Sequence, residues 1–302
     1  MSADVIAIFG PTGIGKTAVA IELAELLRAQ GEDPVAISAD ALQVYVGLET
    51  LSGVASAEEQ ARLEHRLVSF VRATHTFSVG EFMPLAHAEI DDALAEGRRP
   101  IVVGGTGLYL RAALTQLDLQ PPPPAAVRAR WTEEVERRGP DALHHELMDR
   151  APWAVEGIEP TDKSRIIRTL ELLEMGELEP RGGESQLWTE DMRRPTLLAG
   201  LTMEREELYR RIEERVDAMV AAGAEDEVRR VEEAGASRTA RKALGYEELL
   251  NRDVEGMKRR TRQYAKRQLT WMRKLAGAQT IDVTGRDPSG VAVEIRRLLP
   301  AA

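Results

Sequence analysis

Hydrophobic and polar positions along this chain follow two periods in turn. Val5-Ile6-Ala7-Ile8-Phe9, Val35-Ala36-Ile37-Ser38 and Pro100-Ile101-Val102-Val103 are short apolar runs, as expected of strands buried on both faces of a parallel sheet. Between them, Ala18 to Leu27 and Ser78 to Glu96 place apolar residues at helical spacing, the second through Phe82, Leu85, Ile90 and Leu94 until Gly97 stops it. Residues 48–76 follow neither period. Pro121 to Pro124 breaks the alternation, and beyond it helices are expected over Ala125 to Arg138, Asp141 to Arg150 and Asp162 to Met175 with no strand between them. The chain is then expected to rejoin the sheet at Thr196 to Leu201. A long helix over Glu204 to Ala222, a last strand over Thr280 to Val283 and a closing helix over Val291 to Leu299 follow.

The first apolar run ends in Gly10-Pro11-Thr12-Gly13-Ile14-Gly15-Lys16-Thr17, a complete G-x-x-x-x-G-K-[ST] phosphate loop with a strand before it and a helix after it. Such a loop turns backbone N–H groups inward at the positive end of a helix and so holds a di- or triphosphate. Lys16 would reach the outer phosphate oxygens, and the Thr17 hydroxyl would take a Mg²⁺ ligand position. The expected fold is therefore α/β: a P-loop NTPase-like core with a parallel sheet flanked by helices, plus an inserted all-helical subdomain. Residues 1–120 form the first part of the core and 121–190 the insertion, closed by the loose Gly182-Gly183-Glu184-Ser185 stretch. Residues 191–302 complete the core.

Other residues are expected at the same sheet edge, because ligands of parallel α/β sheets lie beyond the carboxyl ends of the strands. Asp40, just past the second strand, is the best carboxylate for catalysis. It could serve as a Mg²⁺-side carboxylate, as a general base for an incoming nucleophile, or merely as a helix N-cap. Gly104-Gly105 at the end of the next strand would let something approach the backbone closely, with the Thr106 hydroxyl beside it.

Composition narrows the field. The chain has no cysteine, which excludes disulfides, Cys-ligated zinc and a thiol nucleophile. Its five histidines show no metal-ligand spacing. No apolar run approaches the ~18 residues needed to span a bilayer, and Met1-Ser2-Ala3-Asp4 leads straight into the first strand, so a cytoplasmic protein without a membrane partner is expected. The net charge of −10 argues against a polyanionic partner until its distribution is considered. Twelve lysines and arginines lie between Arg238 and Lys274 against four acids, and Lys258 to Lys274 holds eight basic residues and no acidic one. Arg259, Arg262, Lys266 and Arg273 recur at helical steps near one face, while Ala265, Leu269 and Met272 fall on another that can pack inward.

Several stretches in this order resemble one family, the tRNA dimethylallyltransferases (tRNA isopentenyltransferases). They are Gly10 to Thr17; Ser38-Ala39-Asp40 with Gln43 and Tyr45; Gly104-Gly105-Thr106 with Leu108-Tyr109; Ile158 to Asp162 with Arg165 and Arg168; Arg211-Ile212 with Arg215; Ala243 to Tyr246; and Thr261 to Gln268 with Thr270-Trp271 and Arg273. The resemblance implies transfer of a dimethylallyl group from dimethylallyl diphosphate to N6 of the adenosine 3′ of a tRNA anticodon, with Mg²⁺ as cofactor and the chain acting as a monomer. It implies catalytic roles for Asp40, Lys16, Thr17, Thr106 and Arg215, the last two near the diphosphate. It also implies an anticodon stem-loop path along Asp40, Ala41, Leu42, Gln43, Thr106, Arg128, Ser164, Arg165, Ile166, Ile167, Arg168, Lys242, Gly245, Tyr246, Glu247, Arg262, Lys266, Arg267, Gln268, Thr270, Trp271 and Arg273.

Two departures stand out. Ala41 replaces a serine that the family often has after its aspartate, and Thr50-Leu51-Ser52-Gly53-Val54-Ala55 replaces an expected Gly-Thr-Ala-Lys stretch, so a lysine is missing. Trp271 and Tyr264, seven apart, are candidates for base stacking or for core packing. Rival readings are an adenine-nucleotide prenyltransferase, a P-loop small-molecule or nucleotide kinase, and a P-loop protein that binds RNA without modifying it. The first of these needs neither the insertion nor the basic segment, and the second needs only the loop and Asp40.

Overall fold

The computed structural model describes residues 3–180 and 186–299 and divides into two compact units, residues 1–117 with 186–302 and residues 118–185. The expected boundary at Gly182-Gly183-Glu184-Ser185 lies outside the described residues.

The first unit is built on a six-stranded sheet whose neighbours all pair in parallel. Its order is His65–Arg66, Pro34–Ser38, Arg99–Gly104, Val5–Phe9, Thr196–Thr202, Gln279–Asp282. Val5–Phe9 is buried at every position and lies centrally, with Ile8 opposite Val103 on one side and Ala199 on the other. Ile6, Ile8, Leu23, Leu27, Ile101 and Leu201 are fully buried in one cluster, each worth about 1.5–3 kcal/mol of burial. That core fixes the carboxyl edge of the sheet, where Phe9, Ser38 and Gly104 each release the chain into a loop.

The helices follow their capping chemistry. Ser78 caps Val79–Ala95 with a capping box to Glu81, and Glu204 caps Arg205–Ala221 through the N–H groups of Glu206 and Glu207. The inward face of Val79–Ala95 is Phe82, Ala86, Ile90 and Ala93, and Leu85 is exposed. Residues 48–76, which show no period, hold the helices Glu49–Ser52 and Ala57–Arg62, the edge strand His65–Arg66, and Val71–Arg72, which pairs with Tyr45–Val46 in a two-stranded sheet. Among the described residues no helix is long and apolar enough to cross a membrane.

The second unit packs Ala125–Arg138, Pro140–Arg150 and Lys163–Met175 around Trp131, Val135, Leu143, Leu147, Ile166 and Leu170. Glu171 is fully buried there and held by Arg128 and Arg168.

Candidate functional site

The phosphate loop takes its expected form. Gly13 and Gly15 adopt φ of 81° and 96°, and Gly15 precedes Lys16–Arg28 with no side chain capping the helix. The first N–H groups of that helix thus face the loop without a side-chain acceptor, which is how a helix end receives an anion. Lys16 Nζ donates to the carbonyls of Gly10 (2.9 Å) and Pro11 (3.0 Å). Burial lowers its pKa to about 8, opposed by Asp40 and reinforced by Arg215.

Gln268 secures the loop. Its side chain accepts the Thr12 N–H (2.9 Å) and donates to the Gly105 carbonyl (2.7 Å). This corrects its expected place on the RNA path, since Gln268 is buried and both ends of its amide are used. The glycine pair is also occupied by protein: a Cβ at Gly104 would lie 2.5 Å from the Ala39 carbonyl, and one at Gly105 would lie 2.5 Å from Gln268 Nε2. Trp271 packs against Gly107 and, at 4.6 Å between ring centroids, against Trp188, so it belongs to the packing.

Asp40 Oδ1 accepts the Leu42 N–H at 2.9 Å, and no helix follows, so the carboxylate closes a turn and is no helix N-cap. The Thr106 hydroxyl takes the Ala41 N–H at 3.5 Å and meets the Tyr264 hydroxyl at 3.3 Å. It therefore sits beside the Asp40 turn.

A cavity of about 460 Å³ joins these parts. Thr12, Gly13, Gly15, Lys16 and Thr17 line one side, with Asp40 and Arg215 on the wall. Leu51, Val54, Val216 and Met219 make part of the wall apolar. Arg215 enters from Arg205–Ala221, and its buried Nε has no hydrogen-bond partner. It makes no ion pair among the described residues. Burial lowers its pKa, opposed by Asp40 and Glu59. A cation left this way, beside Lys16, matches an anion that the cavity is built to receive.

The segment that departs from the family forms this wall. Glu227 accepts the N–H groups of Thr50 (2.9 Å) and Leu51 (3.0 Å), capping Glu49–Ser52 from 177 and 176 residues away. Gln43, expected on the RNA path, instead donates to the Gly53 carbonyl (3.0 Å) and accepts from Ser38 Oγ (2.8 Å). Gly53 adopts φ of 63°, and a Cβ on it would lie 1.8 Å from Arg215 Nη2.

The remaining expected RNA contacts divide by exposure. Lys242, Glu247, Lys266, Arg267, Thr270 and Arg273 are exposed on the first unit, and Ser164 and Arg165 on the second. Tyr246 is fully buried with its hydroxyl donating to Glu232 (2.9 Å), Gly245 is buried, and Ile166 belongs to the second unit's core, whereas Ile167 is half-buried against it. Gly245, Tyr246 and Ile166 are corrected from contacts to supports. Arg128 is tied to Glu171, and Arg168 to the carbonyls of Gln120 (3.1 Å) and Pro121 (2.6 Å). On Val254–Met272 and its C-terminal cap Arg273, Lys258 pairs with Asp217, Arg260 with Glu248 and Arg262 with Glu213, whereas Arg259, Lys266 and Arg273 are exposed and form no ion pair among the described residues.

The lowered pKa of Lys16 gives a pH signature. Below about pH 8 the free enzyme presents an ammonium, and diphosphate affinity should not vary through this group; as pH rises through 8 each binding event must first take up a proton, and affinity falls. Calorimetric titration with inorganic diphosphate from pH 7 to 9.5 should show this extra fall in wild type and not in Lys16→Arg, and parallel curves would contradict it.

Two family profiles match the chain, IPP transferase over residues 43–275 and Isopentenyl transferase over residues 3–72. The chain is 37% identical to the tRNA dimethylallyltransferase of Symbiobacterium thermophilum, covering 97% of this chain and 94% of the relative. Among solved structures it is similar to the full-length tRNA isopentenylpyrophosphate transferase of Bacillus halodurans, with a TM-score of 0.69, 33% identity and coverage of 97% and 94%. It shares its fold with a eukaryotic dimethylallyltransferase described as acting on tRNA, with a TM-score of 0.73, 24% identity and coverage of 97% and 78%.

Proposed function

The chain belongs to the IPP transferase family, and from that premise we propose that it is a tRNA dimethylallyltransferase that transfers the dimethylallyl group of dimethylallyl diphosphate to N6 of the adenosine 3′ of the anticodon. The observation that carries this reading is the single cavity in which a phosphate cradle, an unpaired arginine, a carboxylate and an apolar wall meet. A kinase needs the cradle, but an apolar wall beside it suits an allylic chain.

The chemistry follows from the residues. The C–O bond to the diphosphate breaks, and Lys16, Arg215 and the loop N–H groups neutralise the charge that develops on the leaving group. A C–N bond forms from N6, and Asp40 accepts the amine proton, which for such a weak nucleophile is worth about 10²- to 10⁴-fold. The base must leave the stack of the anticodon loop to reach Asp40. The Thr17 hydroxyl on the cavity wall is a hard oxygen donor suited to Mg²⁺ shared with phosphate oxygens. When bound, that ion would supply further charge neutralisation on the diphosphate. In this reading the protein acts as a monomer on tRNA in the cytoplasm.

The exposed cations of Val254–Met272 and of its C-terminal cap Arg273 form the RNA-facing surface in this reading. Lys266→Ala with Arg273→Ala should weaken tRNA binding and flatten the dependence of log K on log salt by about one unit for each phosphate that is no longer neutralised. Arg262→Ala should do less, because Arg262 is engaged by Glu213. Equal effects in a filter-binding salt series would contradict the division.

The function is tested by incubating the protein and Mg²⁺ with labelled dimethylallyl diphosphate and unmodified tRNA, or with AMP, ADP or ATP as acceptors. Label in tRNA alone is expected. Label in a free nucleotide would reassign the acceptor, and phosphoryl transfer from ATP without prenyl transfer would reassign the reaction.

A further inference from the structure

The cavity-facing side of Val254–Met272 holds Met257, Thr261, Tyr264 and Gln268, at steps of four, three and four. The exposed cations occupy other positions, so one helix both closes the cavity and presents charge. Three of the four inward side chains have evident work. Gln268 holds Thr12 and Gly105, the Thr261 hydroxyl donates to the Met257 carbonyl (2.7 Å), and Met257 packs on Gly245. Tyr264 differs: among the described residues its hydroxyl has one partner, Thr106 Oγ at 3.3 Å, and Thr106 is the same group that receives the Ala41 N–H. The phenol thus stands on the cavity wall beside the turn that presents Asp40. Burial, followed by Asp40, pushes its pKa up to about 12, so it remains a neutral donor at working pH.

We propose that Tyr264 reads the acceptor base, its O–H donating to the ring nitrogen next to the exocyclic amine whose N–H is accepted by Asp40. The inference rests on the function proposed above and names the recognition element of that site. When Thr106 donates to the Tyr264 oxygen, the phenol hydrogen is left for a ligand. Asp40 and Tyr264 then present an acceptor beside a donor. Adenine offers the complement on either side of its amine, with N1 or N7 as the acceptor. Guanine puts O6 where the amine would be, setting one acceptor against another. A site that leaves buried polar groups unpaired with the wrong ligand rejects it strongly.

The test compares wild type with Tyr264→Phe in dimethylallyl transfer to anticodon stem-loop RNAs carrying adenosine, 1-deazaadenosine or 7-deazaadenosine at the target position. Comparing two enzymes on the same RNA cancels any change in the reactivity of the amine. On adenosine, Tyr264→Phe should lose about twofold to tenfold in kcat/KM, the effect of one hydrogen bond, with KM for dimethylallyl diphosphate unchanged. On one of the two deaza RNAs, the one lacking the nitrogen that Tyr264 meets, the two enzymes should be equal. A Tyr264→Phe enzyme as fast as wild type on adenosine, or one slower by the same factor on all three RNAs, overturns the proposal. Wild type that transfers to none of them would overturn the underlying function instead.

Discussion

Asp40→Asn should lower kcat for transfer by about 10²- to 10⁴-fold while leaving the affinity for inorganic diphosphate unchanged. The asymmetry follows from geometry. One carboxylate oxygen is used by the Leu42 N–H, and Asp40 lies on the cavity wall beside Thr106 and Tyr264, with its other oxygen making no hydrogen bond among the described residues. Asparagine keeps the shape and can still close the Leu42 turn through its carbonyl oxygen. It cannot take up the proton released as the C–N bond forms, so the loss should appear in kcat. Single-turnover transfer and diphosphate calorimetry separate the two terms. Equal losses in rate and in diphosphate affinity would instead assign Asp40 to the metal side of the leaving group.

Arg215→Ala should weaken diphosphate binding by about 10- to 150-fold, the range for a charge-assisted hydrogen bond of about 1.5–3 kcal/mol. The guanidinium makes no ion pair among the described residues, so its removal leaves none of their carboxylates unpaired, and the effect should fall on the ligand and spare stability. Gly53 supplies an internal control. Gly53→Ala introduces a methyl where Arg215 Nη2 now lies 1.8 Å away, and it strains a backbone at φ of 63°. In the wild-type background it should displace the guanidinium and reduce diphosphate affinity about tenfold, a loss of about 1.4 kcal/mol. In an Arg215→Ala background the same methyl should cost no further affinity, although the backbone strain is still present. Additive losses in this cycle would show that Gly53 acts by other means.

The legible parts of this chain were those whose chemistry is local. The phosphate loop, the turn at Asp40 and the long basic helix each announce themselves within about twenty residues, because strand, glycine spacing and helical period are short-range properties. What escaped was set by partners far away in sequence. Gln268 meets Thr12 across 256 residues and Gly105 across 163, partners that the resemblance, which implies an RNA contact for it, does not reveal. Glu227, which caps the cavity wall at Thr50 and Leu51, reaches them across 177 and 176 residues from the helix Ala224–Glu233. Gly104 and Gly105 signalled a close approach correctly but not its identity, which is Ala39 and Gln268. Two-residue strands such as Tyr45–Val46 and His65–Arg66 are too short to display a period at all. The charge run likewise overstated the RNA surface, since Lys258, Arg260 and Arg262 are matched by acids from elsewhere in the chain.

The most direct test of the central claim, that one cavity joins a diphosphate leaving group to the amine of an adenosine, is the identity of the modified nucleoside. tRNA treated with the protein, Mg²⁺ and dimethylallyl diphosphate would be digested and its nucleosides resolved by mass spectrometry. The prediction is a single new nucleoside, adenosine carrying the dimethylallyl group on N6 and mapping to the position 3′ of the anticodon, absent when Asp40→Asn replaces wild type over the same time. The group on another atom or at another position, or undiminished product from Asp40→Asn, would contradict it.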